Sequence, residues 1–258
     1  MKKLVYVLLG TLVVACTNPK EKLLGDIDKL MNQDQSFETK KGIAELQEQF
    51  VAKYPNDSNA QYFMENYINF YAKIDSNDKA IALAQQYLST YDSSVERNNM
   101  RIIIGQALSK KGEHEQVITH FEALMKDMNV PVADLRLVGA SHLALLSDTT
   151  NKERDEHQFK YAGIVEQTMG LEAAADQYKR LYTDFPTSKY APFGMTKHAD
   201  VEERNGNLDE AKKILNTLIE TYPDSKFAAD ARIMIEQDLL GMSAEEQLDQ
   251  ILKNQSSN

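Results

Sequence analysis

The chain has 258 residues, 42% hydrophobic and 26% charged, and carries a formal net charge of −10. Only 11 Gly and 6 Pro leave little turn material for a β-rich fold, while abundant Ala, Leu, Gln, Glu and Lys favour helix. Acidity without a basic, aromatic-interleaved stripe disfavours nucleic-acid binding and electrostatic attraction to anionic lipid.

In chain order, the first feature is a basic head, Met1-Lys2-Lys3, followed by an apolar run from Leu4 to Leu12 broken only by Gly10 and Thr11. The run is shorter than the roughly 20 residues that span a bilayer, and it suits a secretory signal. It leads through Val13-Val14-Ala15 into Cys16, the only cysteine of the chain. A lone cysteine after a signal can be a free thiol, an intermolecular disulfide partner or a modified residue. Val13-Val14-Ala15-Cys16 resembles the lipobox of bacterial lipoproteins. That resemblance implies cleavage of a signal peptide at 1–15, acylation of Cys16 with fatty chains such as palmitate, and attachment to the membrane through the amino-terminal lipid. Several acyl chains would hold firmly, since each buried methylene adds about 0.8 kcal/mol. Thr17 is not the aspartate that retains many lipoproteins in the inner membrane, and Asn18-Pro19-Lys20-Glu21-Lys22 lacks an acidic surface-export run. The resemblance therefore implies an outer-membrane location facing the periplasm. The chain from Cys16 onward holds 27 basic and 39 acidic residues, a net charge of −12, and has no second cysteine for a disulfide.

Helical periodicity starts near Lys20, with Leu23, Leu24, Ile27, Leu30 and Met31 on one face. A second helix is expected over Phe37 to Lys53, with Ile43, Leu46, Phe50 and Val51 inward, ending before Pro55. Asn56-Asp57-Ser58 offers capping side chains. Further helices are expected over about 58–73, 77–91, 95–111, 113–127 and 131–146. Between 147 and 154 the chain is polar and aperiodic, so 131–157 reads as an irregular helix and loop, the helix having lost or shortened its partner. Two closing helices are expected at about 226–239 and 244–252, with 254–258 frayed.

The strongest signal is an internal repeat. Phe185-Pro186-Thr187-Ser188-Lys189-Tyr190-Ala191 returns as Tyr222-Pro223-Asp224-Ser225-Lys226-Phe227-Ala228, 37 residues later, with two amphipathic segments and Asn205-Gly206-Asn207 between. The same spacing joins the small or β-branched residues Ile43, Ala80 and Val117, and again Ala174 and Ala211. Four residues beyond these stand Gln47, Ala84, Phe121, Tyr178 and Leu215; twelve before the last four stand Ile68, Gly105, Ala162 and Ala199. This arrangement resembles the tetratricopeptide repeat. The resemblance implies an all-α, TPR-like α-solenoid of about 12–13 helices, with repeats over 16–130 and, with capping helices, over 158–254. There is no Trp, and the unit exceeds the usual length of about 34 residues. The longer unit and its aromatic-Pro-x-Ser junction resemble envelope TPR lipoproteins of the outer-membrane β-barrel assembly and division-coordinating kind.

No catalytic pattern accompanies the repeat. His114, His120, His142, His157 and His198 form no HExxH or other ligand spacing, and GxGxxG, GxxxxGK[ST] and GxSxG are absent. The chain is expected to be no enzyme and to use no cofactor, metal or small-molecule substrate. In the resembled family the first helix of each unit lines a concave face. The matching positions are Tyr62, Glu65, Asn69 and Lys73; Asn99, Ile102, Gln106 and Lys110; Phe159 and Glu166; and Phe193, Thr196, Asp200, Glu203 and Arg204. Aromatic residues there can anchor a partner or simply pack between repeats. The expected role is a lipid-anchored scaffold for protein partners in the cell envelope, in outer-membrane assembly, secretion or wall and division machinery. The alternative is a ligand- or nutrient-binding lipoprotein of an outer-membrane transporter.

Overall fold

Each 37-residue stretch carries small and aromatic residues that must leave water together, and neighbouring helices hide them against one another. The computed structural model describes residues 18–256. Cys16 and the expected signal segment lie outside the described residues. The described residues form α1 (Pro19–Met31), α2 (Phe37–Lys53), α3 (Ala60–Lys73), α4 (Asn77–Thr90), α5 (Arg97–Lys111), α6 (His114–Leu124) and α7 (Val132–Ser147). They continue with α8 (Arg154–Met169), α9 (Leu171–Thr183), α10 (Ala191–Arg204), α11 (Leu208–Thr221), α12 (Lys226–Glu236) and α13 (Ala244–Ser256), with no strand among them. This is the all-α, TPR-like array of antiparallel helix pairs expected from the sequence. It divides into two compact units, the first ending at Ile104 and the second beginning at Gly105, inside α5.

Local chemistry sets the helix starts. The Asn18 side chain accepts from the Lys20 N–H with Pro19 in the first turn, Ser36 caps α2 through the Thr39 N–H, and Ser225 caps α12 through the Ala228 N–H. Ser243 and Glu246 form a reciprocal capping box ahead of α13, which runs on to Ser256 through residues expected to fray. Asn56-Asp57-Ser58 works through one residue: Asp57 Oδ1 accepts from the Asn59 N–H at 2.9 Å. Within a repeat the turn between helices needs a left-handed residue. Gly112 and Gly206 supply it at φ 73° and 79°, while Asp75, 37 residues before Gly112, adopts φ 57° without being glycine.

The repeat spacing maps onto burial. Ala80, Val117, Ala174 and Ala211 are buried, as are Gln47, Ala84, Phe121, Tyr178 and Leu215 four residues on. Ile43 is half-buried. Ile68, Gly105, Ala162 and Ala199 are buried too, and Pro55, Asp92, Asn129, Pro186 and Pro223 are exposed. In unit 1, α1 packs on α2, α2 on α3 and α3 on α4. Phe50 meets Phe63 edge-on at 5.1 Å near one end of the α2–α3 pair, and Phe37 approaches Phe70 at 6.2 Å near the other.

In unit 2 the helices from α6 to α12 pack each on the next, and α12 also touches α10. Here the expectation for 131–157 needs correction. α7 has lost no partner: it is 16 residues long and packs against both α6 and α8. Covered from two sides, it buries Leu135, Val138 and Leu146 together with the polar Asp134, Ser141 and His142. A helix covered in this way keeps no wide polar face, which is why its sequence shows little amphipathic contrast.

The repeated junction also finds its purpose. Phe159 stacks on Tyr190 at 4.3 Å, Phe193 meets Phe159 at 5.4 Å, and Phe227 meets Phe193 at 5.7 Å. The Tyr222 hydroxyl donates to the Pro186 carbonyl at 2.7 Å, tying one copy of the phrase to the other.

At Gly194 α10 lies close against α9. A Cβ placed there would lie 2.5 Å from the Tyr178 carbonyl oxygen and 2.8 Å from Leu181 Cβ. Gly163, on α8, would meet nothing within 4 Å. Gly194→Ala is therefore expected to destabilise the chain by about 2–3 kcal/mol through overpacking against backbone, while Gly163→Ala stabilises it by about 0.5–1 kcal/mol. Urea denaturation of the two variants checks this, and equal effects would contradict the close approach.

Candidate functional site

The antiparallel packing of α1, α2 and α3 leaves an open cleft of about 390 Å³ in unit 1. Lys40, Ile43, Ala44 and Gln47 enter it from one face of α2, at helical spacing. Tyr62, Asn66, Asn69, Phe70 and Lys73 enter from α3, and Met31 and Gln35 close its end. Tyr62 is 53% exposed, so a large ring stands available at the rim. Two lysines and no carboxylate line the cleft, in a chain of net charge −10. Its floor is apolar, its walls carry amides, and its local charge opposes that of the whole protein.

Of the expected concave-face residues, Tyr62, Asn69 and Lys73 come together here. The Asn69 amide is already turned to the helix, donating to the Glu65 carbonyl at 2.8 Å. Glu65 is not part of the cleft. It lies toward α4, where its carboxylate accepts from the Tyr87 hydroxyl and from Gln61 Nε2 at 3.1 Å. Burial first, then the Glu65 carboxylate, pushes the Tyr87 phenol up to about 12. Glu65 thus holds the α3–α4 pair together. On α5, Asn99 is exposed and Ile102 half-buried within unit 1, whereas in unit 2 Gln106 donates to the buried Asp134 of α7 at 2.8 Å and Lys110 is exposed.

Unit 2 has a second cleft, about 350 Å³, where α6 to α10 meet. Phe159, Phe193, Tyr178, Lys160 and His142 line it. Phe193 is half-buried within the aromatic series of the junction, so it packs between repeats while one side faces the cleft. Glu166 pairs with Lys197 at 2.7 Å and accepts from the Tyr178 hydroxyl. Burial pushes its pKa up, but Lys197 and Tyr178 outweigh that and hold it below the usual carboxylate range. Thr196 bonds back to the Pro192 carbonyl at 3.1 Å. Asp200, Glu203 and Arg204 line a separate shallow depression. There Asp200 pairs with Arg204 at 2.9 Å, and Glu203 accepts from the Gly241 N–H at 2.7 Å.

Two features escaped the sequence reading. Lys40 belongs with Tyr62 and Lys73, and its spacing to Ile43, Ala44 and Gln47 was a signal for it. The approach of His142 Nδ1 to His157 Nδ1, at 3.0 Å across the loop after α7, had no such signal. No group of three or more His, Cys, Asp or Glu side chains able to hold a metal occurs among the described residues.

The His142 imidazole is buried, and that burial, helped by His157 and Lys160, pushes its pKa down from 6.5 to about 4. Above pH 6.5 it is neutral whether the chain is folded or not. Between 6.5 and 4 only the unfolded chain takes up the proton, so stability falls as pH drops through that window. Acidification from pH 7 to 5 is expected to cost up to about 2 kcal/mol through this group, and His142→Asn should remove that component. Denaturant titrations at both pH values check it; an unchanged pH slope in the variant would contradict it.

Residues 194–225, which span most of α10, all of α11 and the first four residues of the second junction, match the family model described as tetratricopeptide repeat. No curated protein matches the sequence. Among solved structures, the chain resembles YrrB, described as a TPR protein with an unusual peptide-binding site, at 16% identity and TM-score 0.33, covering 73% of this chain and 98% of that one. It resembles a tetratricopeptide repeat protein from Parabacteroides merdae at 16% identity and TM-score 0.32, over 91% and 78% of the two chains. It also resembles the TPR2AB domain of yeast Sti1 in complex with an Hsp90 peptide, at 16% identity and TM-score 0.38, over 90% and 88%. Likeness of this size carries no functional inference. Residues 194–225 thus match a tetratricopeptide repeat, and antiparallel helix pairs in a TPR-like arrangement lie on either side of them.

Proposed function

We propose that this protein is a non-enzymatic scaffold, lipid-anchored through Cys16 in a bacterial cell envelope, that holds an extended acidic segment of a protein partner in the unit 1 cleft. Tetratricopeptide-repeat proteins generally mediate protein–protein interaction, and the observation that favours this cleft is its lining. Lys40 and Lys73 stand over an apolar floor formed by Ile43, Ala44 and Phe70, with Tyr62 exposed at the rim and no carboxylate present. A partner's backbone can bond to the Asn66 and Gln47 amides, its apolar side chains can enter the floor, and its acidic groups can meet the lysines. The exposed Tyr62 ring is the anchor, because a rigid aromatic loses little conformational freedom on binding. The lipobox-like Val13-Val14-Ala15-Cys16 supports the anchor and the envelope location, on the outer membrane facing the periplasm. Assembly of outer-membrane proteins, secretion and wall or division machinery are the settings this reading covers.

A photoreactive phenylalanine analogue at Tyr62 is expected to capture a discrete protein partner in intact cells. Reversing both cleft charges, Lys40→Glu with Lys73→Glu, should reduce that adduct about tenfold, corresponding to roughly 1.4 kcal/mol. An adduct of unchanged yield would contradict the cleft. Cys16→Ala should move the protein from the membrane fraction to the soluble fraction, and retention on the membrane would contradict the anchor.

A further inference from the structure

α1 begins at Pro19, capped by Asn18, so only Thr17 and Asn18 separate Cys16 from a packed helix. Three residue steps span at most roughly 11 Å even when fully extended, about the diameter of a single helix. A lipid on Cys16 would leave no slack. The body must bear on the bilayer close to where α1 starts.

The packing of unit 1 defines what else lies there. Lys20, at the start of α1, is ion-paired with Asp57 in the α2–α3 turn. Gln61, at the start of α3, donates to Ser94 Oγ in the α4–α5 turn at 3.1 Å, and Ser94 also bonds the Tyr87 hydroxyl. The beginning of α1 and these two turns therefore form one end of the unit, bound together by side chains. The α1–α2 turn, with Gln33, lies at the opposite end.

That end has two properties suited to a lipid surface. Val95, in the α4–α5 turn, is 92% exposed, the highest of the exposed large apolar side chains described. Charge is balanced as well: Lys20, Lys22, Lys53 and Arg97 stand against Glu21, Asp57, Asp92 and Glu96, whereas the whole chain carries −10. A balanced surface avoids the repulsion that the rest of the acidic protein would meet at an anionic leaflet.

We infer that this end of unit 1, comprising the start of α1 and the turns at 54–59 and 92–96, is a membrane-bearing surface that sits on the phospholipid headgroups with Val95 dipping among them. This rests on the proposed lipid anchor at Cys16. It orients the unit 1 cleft: Tyr62 lies at the lipid-proximal end, and Lys73, eleven residues along α3, stands about 16 Å farther out.

With Cys16 acylated, an introduced cysteine is the only free thiol, which makes the test clean. Full-length acylated Val95→Cys and Gln33→Cys proteins carry an environment-sensitive fluorophore. They are reconstituted on phosphatidylethanolamine–phosphatidylglycerol vesicles with nitroxide-labelled headgroups. Quenching at position 95 is expected to exceed that at 33 at least twofold, and Asn56→Cys, at the same end, should behave like position 95. Inserting a Gly/Ser linker of about 12 residues between Thr17 and Asn18, with a reach of roughly 20 Å, should abolish the excess. Equal quenching at both ends, in protein that floats with the vesicles, would overturn the bearing surface while leaving the anchor in place. An excess that survives the linker would overturn the role of the short tether. Protein that fails to float would overturn both the surface and the lipid anchor beneath it.

Discussion

Everything in this molecule depends on helices coming closer than ordinary side chains allow, at slots that recur with the 37-residue spacing. A Cβ on Gly105 would lie 2.4 Å from the ring of Phe121. Ala162 shares a buried cluster with Ala174 and Tyr178, and Ala199 shares another with Leu215. In each case a small residue on one helix admits a larger one from its neighbour. Packing interiors tolerate little slack, so these pairs fix how adjacent helices are placed and hence which side chains are left to face outward.

Much of this was legible in the sequence, because periodic burial writes itself directly into residue type. The 37-residue spacing located Ala80, Val117, Ala174 and Ala211, and the helix Phe37–Lys53 ends where Tyr54-Pro55 requires. What the spacing could not tell was how a helix outside the period would be covered. The α7 segment, Val132–Ser147, reads as partnerless because the 37-residue register breaks after Val117 and the stretch at 147–154 is polar and aperiodic. No period marks its own polar residues Asp134 and Ser141 as inward. In the structure those residues face other helices: Asp134 accepts from Gln106, and Ser141 lies 3.4 Å from His114 Nδ1. Hydrogen bonds between side chains far apart in sequence leave no periodic trace.

The same limit governs the site. Family register placed Tyr62, Asn69 and Lys73 in one row on α3, and they do line the cleft. It also placed Glu65 there, where the Tyr87 hydroxyl draws the carboxylate away to the α3–α4 contact. Phe193 shows how an aromatic at helical spacing serves two ends, packing between Phe159, Tyr178 and Phe227 while lining a cleft of unit 2. The lysines matter more than their number suggests. Exposed ion pairs such as Lys160–Glu122, at 3.3 Å, contribute little, but cations in a cleft free of lining carboxylates give direction to an encounter with an acidic partner.

Residue-resolved amide exchange on the chain from residue 17 onward tests the central claim most directly. The account predicts slow exchange recurring around the buried slots Ile68, Gly105, Ala162 and Ala199, and comparable protection through Leu135–Leu146 of α7. Fast exchange should be confined to turns such as 92–96 and 148–153. Protection that ignores the 37-residue spacing, or an α7 exchanging as freely as the loop after it, would contradict the claim that close helix approaches organise this chain.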